Sequence, residues 1–364
     1  MKILFDGQVF VHQKIGGVSR YFANLVSGLN GVPDCTARVL APLHRNDHLR
    51  ALGGGAAYGI GLPSSLRTGR ICWFATRSLS PILSRVLSSN IVHETYFSPK
   101  PYMVGARRRV TTMYDMIHEI YTPGHFTTAH KRASLARCDH VFCISHNTRK
   151  DLCEIFGYPI DRTSVTHLGY QNFGVLGEGL PLSRAFQGAP YFLYVGQRSG
   201  YKNFARLIAA FAASPRIRRD FRIVCFGGGP LTDEEHALSA SLGLNESHVS
   251  QIAGSDEQLA MAYRHALALV YPSLYEGFGL PPLEAMSASC PVLSSNSSSL
   301  PEVVGDAGIA FDPNDTDAIG EALERIANSA DLRKDLIQRG HKRRQLFSWD
   351  ACVRETLGVY RKLS

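Results

Sequence analysis

Short apolar runs of strand length alternate with helix-length amphipathic patterns along almost the whole chain, and this alternation decides the class of fold. Strands separated by helices do not pair as hairpins; each connection crosses over, and the strands lie parallel. In the first half the runs are Ile3–Phe5, Val39–Ala41, Ile91–His93, Val110–Met113, Val141–Ile144 and Ser164–His167. A helix is predicted over Val18–Leu29, where Val18, Tyr21, Phe22, Leu25, Val26 and Leu29 recur at helical spacing. The pattern lapses between Tyr170 and Pro190, a stretch crowded with Gly174, Gly177, Gly179, Pro181 and Gly188. A linker is expected there. Alternation resumes with strands at Tyr191–Val195, Ile223–Phe226, Leu267–Tyr271, Val292–Ser294 and Ile309–Phe311. Helical patterns fall at Asn203–Ala213, Asp233–Leu242, Asp256–His265, Leu280–Ala288, Thr316–Ala327 and Leu332–Phe347, and Trp349–Leu363 is amphipathic. The 364 residues suffice for two full cores. We therefore expect an α/β protein with a first domain over 1–172, a linker over 173–189, a second domain over 190–346 and a terminal helix over 347–364.

Composition excludes several classes. No window approaches eighteen unbroken apolar residues, so no transmembrane helix is expected, and Asp6 interrupts any leader-like run at the start. A cytoplasmic protein is expected. Eight cysteines are scattered without a CxxC pair. Cys138, Cys143 and Cys153, near His140 and His146, match no common zinc spacing and read as buried thiols. The net charge of +8 is unevenly placed. Between Ile60 and Arg109 stand Arg67, Arg70, Arg77, Arg85, Lys100, Arg107, Arg108 and Arg109 against one acid, Glu94. Ile71, Trp73, Phe74, Leu79, Ile82, Leu83, Val86 and Leu87 are interleaved with them. Two readings stand: an anionic membrane surface or lipid-phosphate acceptor, or an amphipathic helix packed on its own domain. No nucleic-acid motif accompanies the charge, and no nucleic-acid partner is expected.

The densest chemical signal is Glu276-Gly277-Phe278-Gly279-Leu280-Pro281-Pro282-Leu283-Glu284, between a strand and a helix. A glycine-rich turn into a helix start presents backbone N–H groups to an anion. Carboxylates beside a phosphate would be repelled, so Glu276 and Glu284 suit hydroxyls. A ligand with both phosphate and hydroxyls is a sugar nucleotide. Gly196-Gln197-Arg198-Ser199-Gly200-Tyr201-Lys202-Asn203, also between strand and helix, adds two cations suited to the charge that grows on a departing diphosphate.

Tyr271-Pro272-Ser273-Leu274-Tyr275, the Glu276–Glu284 run, Pro291-Val292 and Ser299-Leu300-Pro301-Glu302-Val303 together closely resemble retaining glycosyltransferases of the large "group 1" class, family GT4. The resemblance extends along nearly the whole chain and is strongest from Tyr191 to Pro313. It implies the GT-B fold: two Rossmann-like domains facing a deep cleft, with the C-terminal helix crossing back to the N-terminal domain. It implies a nucleoside-diphosphate hexose as donor, GDP-mannose being the first choice. The implied acceptor is a lipid-linked saccharide, as in O-antigen or exopolysaccharide assembly. Arg198 and Lys202 would neutralise the donor diphosphate, Glu284 would accept ribose hydroxyls, and Glu276 would hold the donor sugar. Phe278, Gly279 and Leu280 would offer backbone N–H groups. Gly16 and Gly17, ahead of the first strong helix, would close over the donor phosphate, with Arg20 on the acceptor side. Asp115 and His118 stand where relatives often carry His-Asp, here with Tyr114 in place of that His. His93 and Tyr96 are further acceptor-side candidates.

No cofactor and no metal are expected. Asp315-Thr316-Asp317 spells a metal-transferase DxD but reads as a helix cap, and Gly227-Gly228-Gly229 lacks a full GxGxxG. Sugar-nucleotide epimerases and phosphorylases share the GT-B fold. An epimerase acting without a saccharide acceptor, or a non-catalytic sugar-nucleotide module, is the alternative.

Overall fold

The computed structural model describes residues 1–63, 65–174 and 189–364. Most of the expected linker, 175–188, lies outside the described residues. The chain forms two compact units, Met1–Gly169 with Phe347–Ser364, and Tyr170–Leu346.

The first unit is built on seven strands: β1 (Lys2–Asp6), β2 (Thr36–His44), β3 (Ala57–Gly61), β4 (Ile91–Glu94), β5 (Arg108–Met113), β6 (His140–Cys143) and β7 (Thr163–Val165). They lie in the order β3-β2-β1-β4-β5-β6-β7. Every pairing is parallel, with β1 registered on both β2 and β4. Its principal helices are α1 (Gly17–Asn30), α2 (Gly69–Val86) and α3 (Phe126–Arg137). Helix α1 buries Tyr21, Phe22, Leu25, Val26 and Leu29, the stripe its sequence period predicts.

Among the described residues the second unit carries six strands: β8 (Tyr191–Val195), β9 (Arg222–Phe226), β10 (Val249–Ile252), β11 (Ala268–Tyr271), β12 (Val292–Ser295) and β13 (Gly308–Phe311). Their order is β10-β9-β8-β11-β12-β13, again all parallel. Helices α4 (Phe204–Ala213), α5 (Asp233–Ser241), α6 (Leu280–Ser287) and α7 (Thr316–Asn328) follow in turn. Phe192, Tyr194, Leu207, Phe211, Val270, Leu293 and Leu323 lie in one fully covered core, as a parallel sheet with helices over it requires. Asp315 caps α7, its Oδ1 accepting from the N–H groups of Asp317 and Ala318, so the DxD tripeptide serves as the cap its sequence suggests.

The last helix, α8 (Trp349–Leu363), belongs to the first unit. It lies close enough to α1 that a methyl added to Gly28 would come within 2.5 Å of Val353. Its Tyr360 hydroxyl meets His93 Nδ1 at 2.5 Å, while His93 Nε2 meets Thr112 Oγ1 at 2.8 Å. This corrects one expectation. His93 is fully buried, stacked between Phe5 and Phe142, and ties the returning helix into the core instead of meeting an acceptor. Burial pulls its pKa from 6.5 down to about 3, so the folded state keeps it neutral. Its contribution is present above pH 6.5 and is lost as pH falls from there toward 3. His93→Leu should cost roughly 1–3 kcal/mol at pH 7.5, by leaving buried hydroxyls unsatisfied. The gap between wild type and variant should narrow by about 2 kcal/mol at pH 5. Denaturant unfolding at the two pH values checks this; a gap independent of pH would reject it.

Candidate functional site

In open parallel sheets ligands bind beyond the carboxyl ends of strands where the strand order reverses. In the second sheet that point lies between β8 and β11, and the two sequence motifs are the segments that leave these strands. The Gly196–Asn203 loop follows β8, and the Glu276–Glu284 run follows β11. Lys202 Nζ donates to Glu276 Oε1 at 2.7 Å, bridging the two loops over the reversal. Lys202 also lies 5.6 Å from the ring centre of Tyr271. Burial and the Glu276 charge raise the Tyr271 phenol well above its ordinary pKa, so it remains a neutral donor beside the carboxylate.

Backbone strain marks the same place. Asn203 adopts φ 59°, held by Nδ2 bonds to the carbonyls of Pro272 at 3.0 Å and Pro313 at 2.7 Å. Gly279 adopts φ 108° at the start of α6, and a methyl there would lie 2.7 Å from Leu300 Cδ2. Two serines given no role from the sequence hold the turn. Ser299 Oγ donates to the carbonyls of Glu276 at 2.9 Å and Phe278 at 2.8 Å. Ser298 Oγ accepts from Glu276 N–H at 2.8 Å. The Ser299–Val303 run was legible as a family marker, but nothing local announced what its serine holds. Glu284, one turn into α6, is buried with Oε2 accepting from the Tyr263 hydroxyl at 3.1 Å.

Arg198 requires a correction. It is buried, with Nε on Glu235 Oε1 at 2.8 Å, Nη1 on Gly227 O at 3.1 Å, and Nη2 on Gly229 O at 2.9 Å and Pro230 O at 2.7 Å. Four bonds engage a guanidinium that has five N–H groups. Gly227, Gly228 and Gly229 all have left-handed φ, and Arg198 holds the carbonyl side of their turn. It therefore shapes the glycine loop instead of standing ready to grip a diphosphate. Lys202 is the loop cation at the strand-order reversal.

The first unit has its own cavity, of about 490 Å³, beyond the ends of β1 and β4. Gln8, His12, Trp73, Arg77, Tyr96, Phe126 and His130 are among its lining residues, and no carboxylate among the described residues is. Tyr96 is the expected acceptor-side residue that reaches it. Burial lowers the His12 pKa. Gly16 is extended at φ 179°, so its conformation does not demand glycine; a methyl would instead meet Gln13 Oε1 at 2.4 Å. That oxygen accepts from Ser19 N–H at 3.1 Å, so Gln13 covers one of the helix-start donors expected to face a phosphate. Around Gly17 there is open space, and Arg20 sits half-buried in the first turn of α1.

Asp115 and His118 have separate partners. Asp115 Oδ1 accepts from Ile117 N–H at 3.1 Å, and its carbonyl accepts from Lys131 Nζ at 2.7 Å. His118 stacks on His125 with ring centres 4.0 Å apart, and its Nδ1 meets Thr122 Oγ1 at 3.1 Å. Tyr114, in the place of the usual His, turns inward to donate to Thr95 O at 2.7 Å. The buried Lys131, paired with Glu119 at 2.7 Å, was not anticipated from the sequence.

The glycosyl transferases group 1 family matches residues 183–343, and Glycosyltransferase Family 4 matches residues 15–171. The O-antigen chain mannosyltransferase B of Escherichia coli is 32% identical over 74% of this chain and 74% of its own length. The chain belongs to the group 1 glycosyltransferases. The O-antigen chain mannosyltransferase RfbU of Salmonella typhimurium is 24% identical over 86% of this glycosyltransferase and 88% of its own length. Among solved structures, Anabaena HepE in complex with UDP and glucose superposes with a TM-score of 0.73 at 14% identity, covering all of both chains. That likeness establishes the GT-B fold, two Rossmann-like units, for this enzyme.

Proposed function

We propose that this glycosyltransferase moves mannose from GDP-mannose to a lipid-linked saccharide, in O-antigen or exopolysaccharide assembly, with retention of anomeric configuration and without a metal. The observation that carries the reading is the Lys202–Glu276 bridge at the strand-order reversal, backed by the start of α6 and by Glu284. As the sugar–phosphate bond breaks, charge grows on the departing diphosphate. A cation held at a fixed place stabilises that charge more than the ground state, at no cost in reorganisation. Lys202 supplies that cation, and Glu276 both orients it and accepts donor-sugar hydroxyls. Glu284 offers its carboxylate to the ribose. Arg198 acts through the glycine loop. The acceptor hydroxyl attacks on the face the diphosphate leaves, with the leaving phosphate taking its proton, so no separate protein base is needed. The similar O-antigen chain mannosyltransferases support mannose as the sugar moved and an O-antigen chain as the product.

The first-unit cavity, aromatic and free of carboxylates, suits a saccharide carrying a phosphate. Tyr96 stands on its wall, and Asp115, His118, Gly17 and Arg20 remain acceptor- or donor-side contacts under this reading. No helix among the described residues is long and apolar enough to cross a membrane. The enzyme works at the inner face of the cytoplasmic membrane, held peripherally through the basic segment 60–109. Following the donor's anomeric carbon into the product, with and without EDTA, tests the proposal.

A further inference from the structure

Helix α2 is inside out. The residues it buries are small, Cys72, Thr76, Ser80 and Ser84, spaced four apart. They let the helix lie close on the sheet: Thr76 Oγ1 donates to Leu43 O at 3.0 Å, and a methyl on Gly7 would come within 2.9 Å of Thr76 Cγ2. The large apolar residues point the other way. Ile71, Phe74, Ile82 and Val86 are 60%, 66%, 61% and 79% exposed. They recur at helical spacing on one outer stripe, with Arg70 and Arg85 beside them. Leu87, just past the helix, packs on the domain's own core, but these four do not.

We propose that this outer stripe is a membrane-seating face: α2 lies in the plane of an anionic bilayer, apolar side chains at the boundary of headgroups and acyl chains and arginines on lipid phosphates. The proposal deepens the functional reading above by naming the face behind its peripheral seating, and rests on that reading for the identity of the acceptor. Charge selects the occupant. No Asp or Glu occurs between Asp47 and Glu94, whereas Arg67, Arg70, Arg77 and Arg85 do. A second copy of the chain would set arginine against arginine with no acid on the face to pair them. A lipid surface supplies both the apolar medium and the negative charge. Not every cation of the segment takes part: Arg109 is spent on Glu94 at 2.8 Å, and Arg108 lies 3.5 Å from Asp139. The seating also has a direction. Trp73 and Arg77, on one flank of α2, line the first-unit cavity, so a lipid-anchored saccharide reaches it without leaving the surface.

The test uses the full chain and vesicles of phosphatidylcholine with or without phosphatidylglycerol. Binding should be roughly ten-fold tighter or more with the anionic lipid and should weaken as salt rises. Phe74→Glu with Ile82→Glu, at exposed positions that spare folding, should weaken it by about ten-fold or more. In a Trp349→Phe background the Trp73 emission should shift to the blue on vesicles. The double variant should turn over a water-soluble acceptor within about two-fold of wild type, while transfer to a vesicle-embedded acceptor falls roughly ten-fold. Vesicle binding indifferent to the double substitution, or to anionic lipid, overturns the proposal. So does self-association that the same substitutions abolish. A chain that binds vesicles as described but transfers no sugar leaves the seating face intact and removes the assigned activity instead.

Discussion

Lys202→Ala should lower kcat by about 10²–10³-fold while the KM for the donor changes little. The size follows from place. Lys202 is 2.7 Å from Glu276 at the one point of the second sheet where the strand order reverses. A cation fixed there is worth most when the diphosphate leaves, which is a property of the transition state and lowers kcat when lost. The substitution also strips Glu276 of its ion partner, so Lys202→Arg is the needed companion: restored charge should recover a substantial part of the rate. Steady-state kinetics of the three proteins, with melting temperatures alongside, decide the matter. A Lys202→Ala enzyme within about three-fold of wild type would remove Lys202 from the chemistry. Glu276 would then be left as a structural carboxylate.

The largest loss of stability is expected in the first unit. Glu94 is fully buried, its carboxylate accepting from Arg109 Nη1 at 2.8 Å and from Arg137 Nε and Nη2 at 2.7 Å each. The two guanidinium groups share this one acid, and both are largely buried themselves. Glu94→Ala leaves two cations facing each other across a space with little water. Breaking a buried pair from one side costs about 3–5 kcal/mol. Both tryptophans, Trp73 and Trp349, lie in the first unit, so urea unfolding followed by fluorescence reports on the affected unit. A loss below about 1 kcal/mol would mean that water reaches the arginines and screens them.

How far the sequence carried can be seen in particular elements. The apolar strands buried inside the sheets, such as Tyr191–Val195 and Ile3–Phe5, were legible because a strand covered on both faces must be apolar throughout. The strands that escaped notice, Ala57–Gly61 and Val249–Ile252, are the outermost of their sheets. One is largely exposed and the other only partly covered, so neither needs a continuous apolar run. Site residues divide in the same way. The Lys202 and Glu276 loops were readable because local order, strand then glycine turn then helix, determines where they stand. His93 and Arg198 were not, because their roles depend on partners distant in sequence: Tyr360 for one, Glu235 and the Gly227–Pro230 carbonyls for the other. In α2, apolar spacing showed an amphipathic helix but not which face turned inward. The small residues opposite, Cys72, Thr76, Ser80 and Ser84, held that information.

We propose transfer of mannose from a nucleoside diphosphate with retention and without a metal. The measurement that bears on it most directly is NMR of the product formed from GDP-mannose labelled at the anomeric carbon, with a lipid-linked saccharide acceptor and excess EDTA. GDP release should depend on acceptor, the new linkage should be axial like the donor's, and the rate should be unaffected by EDTA. An inverted linkage, activity lost to EDTA, or conversion of the donor without any acceptor would contradict it.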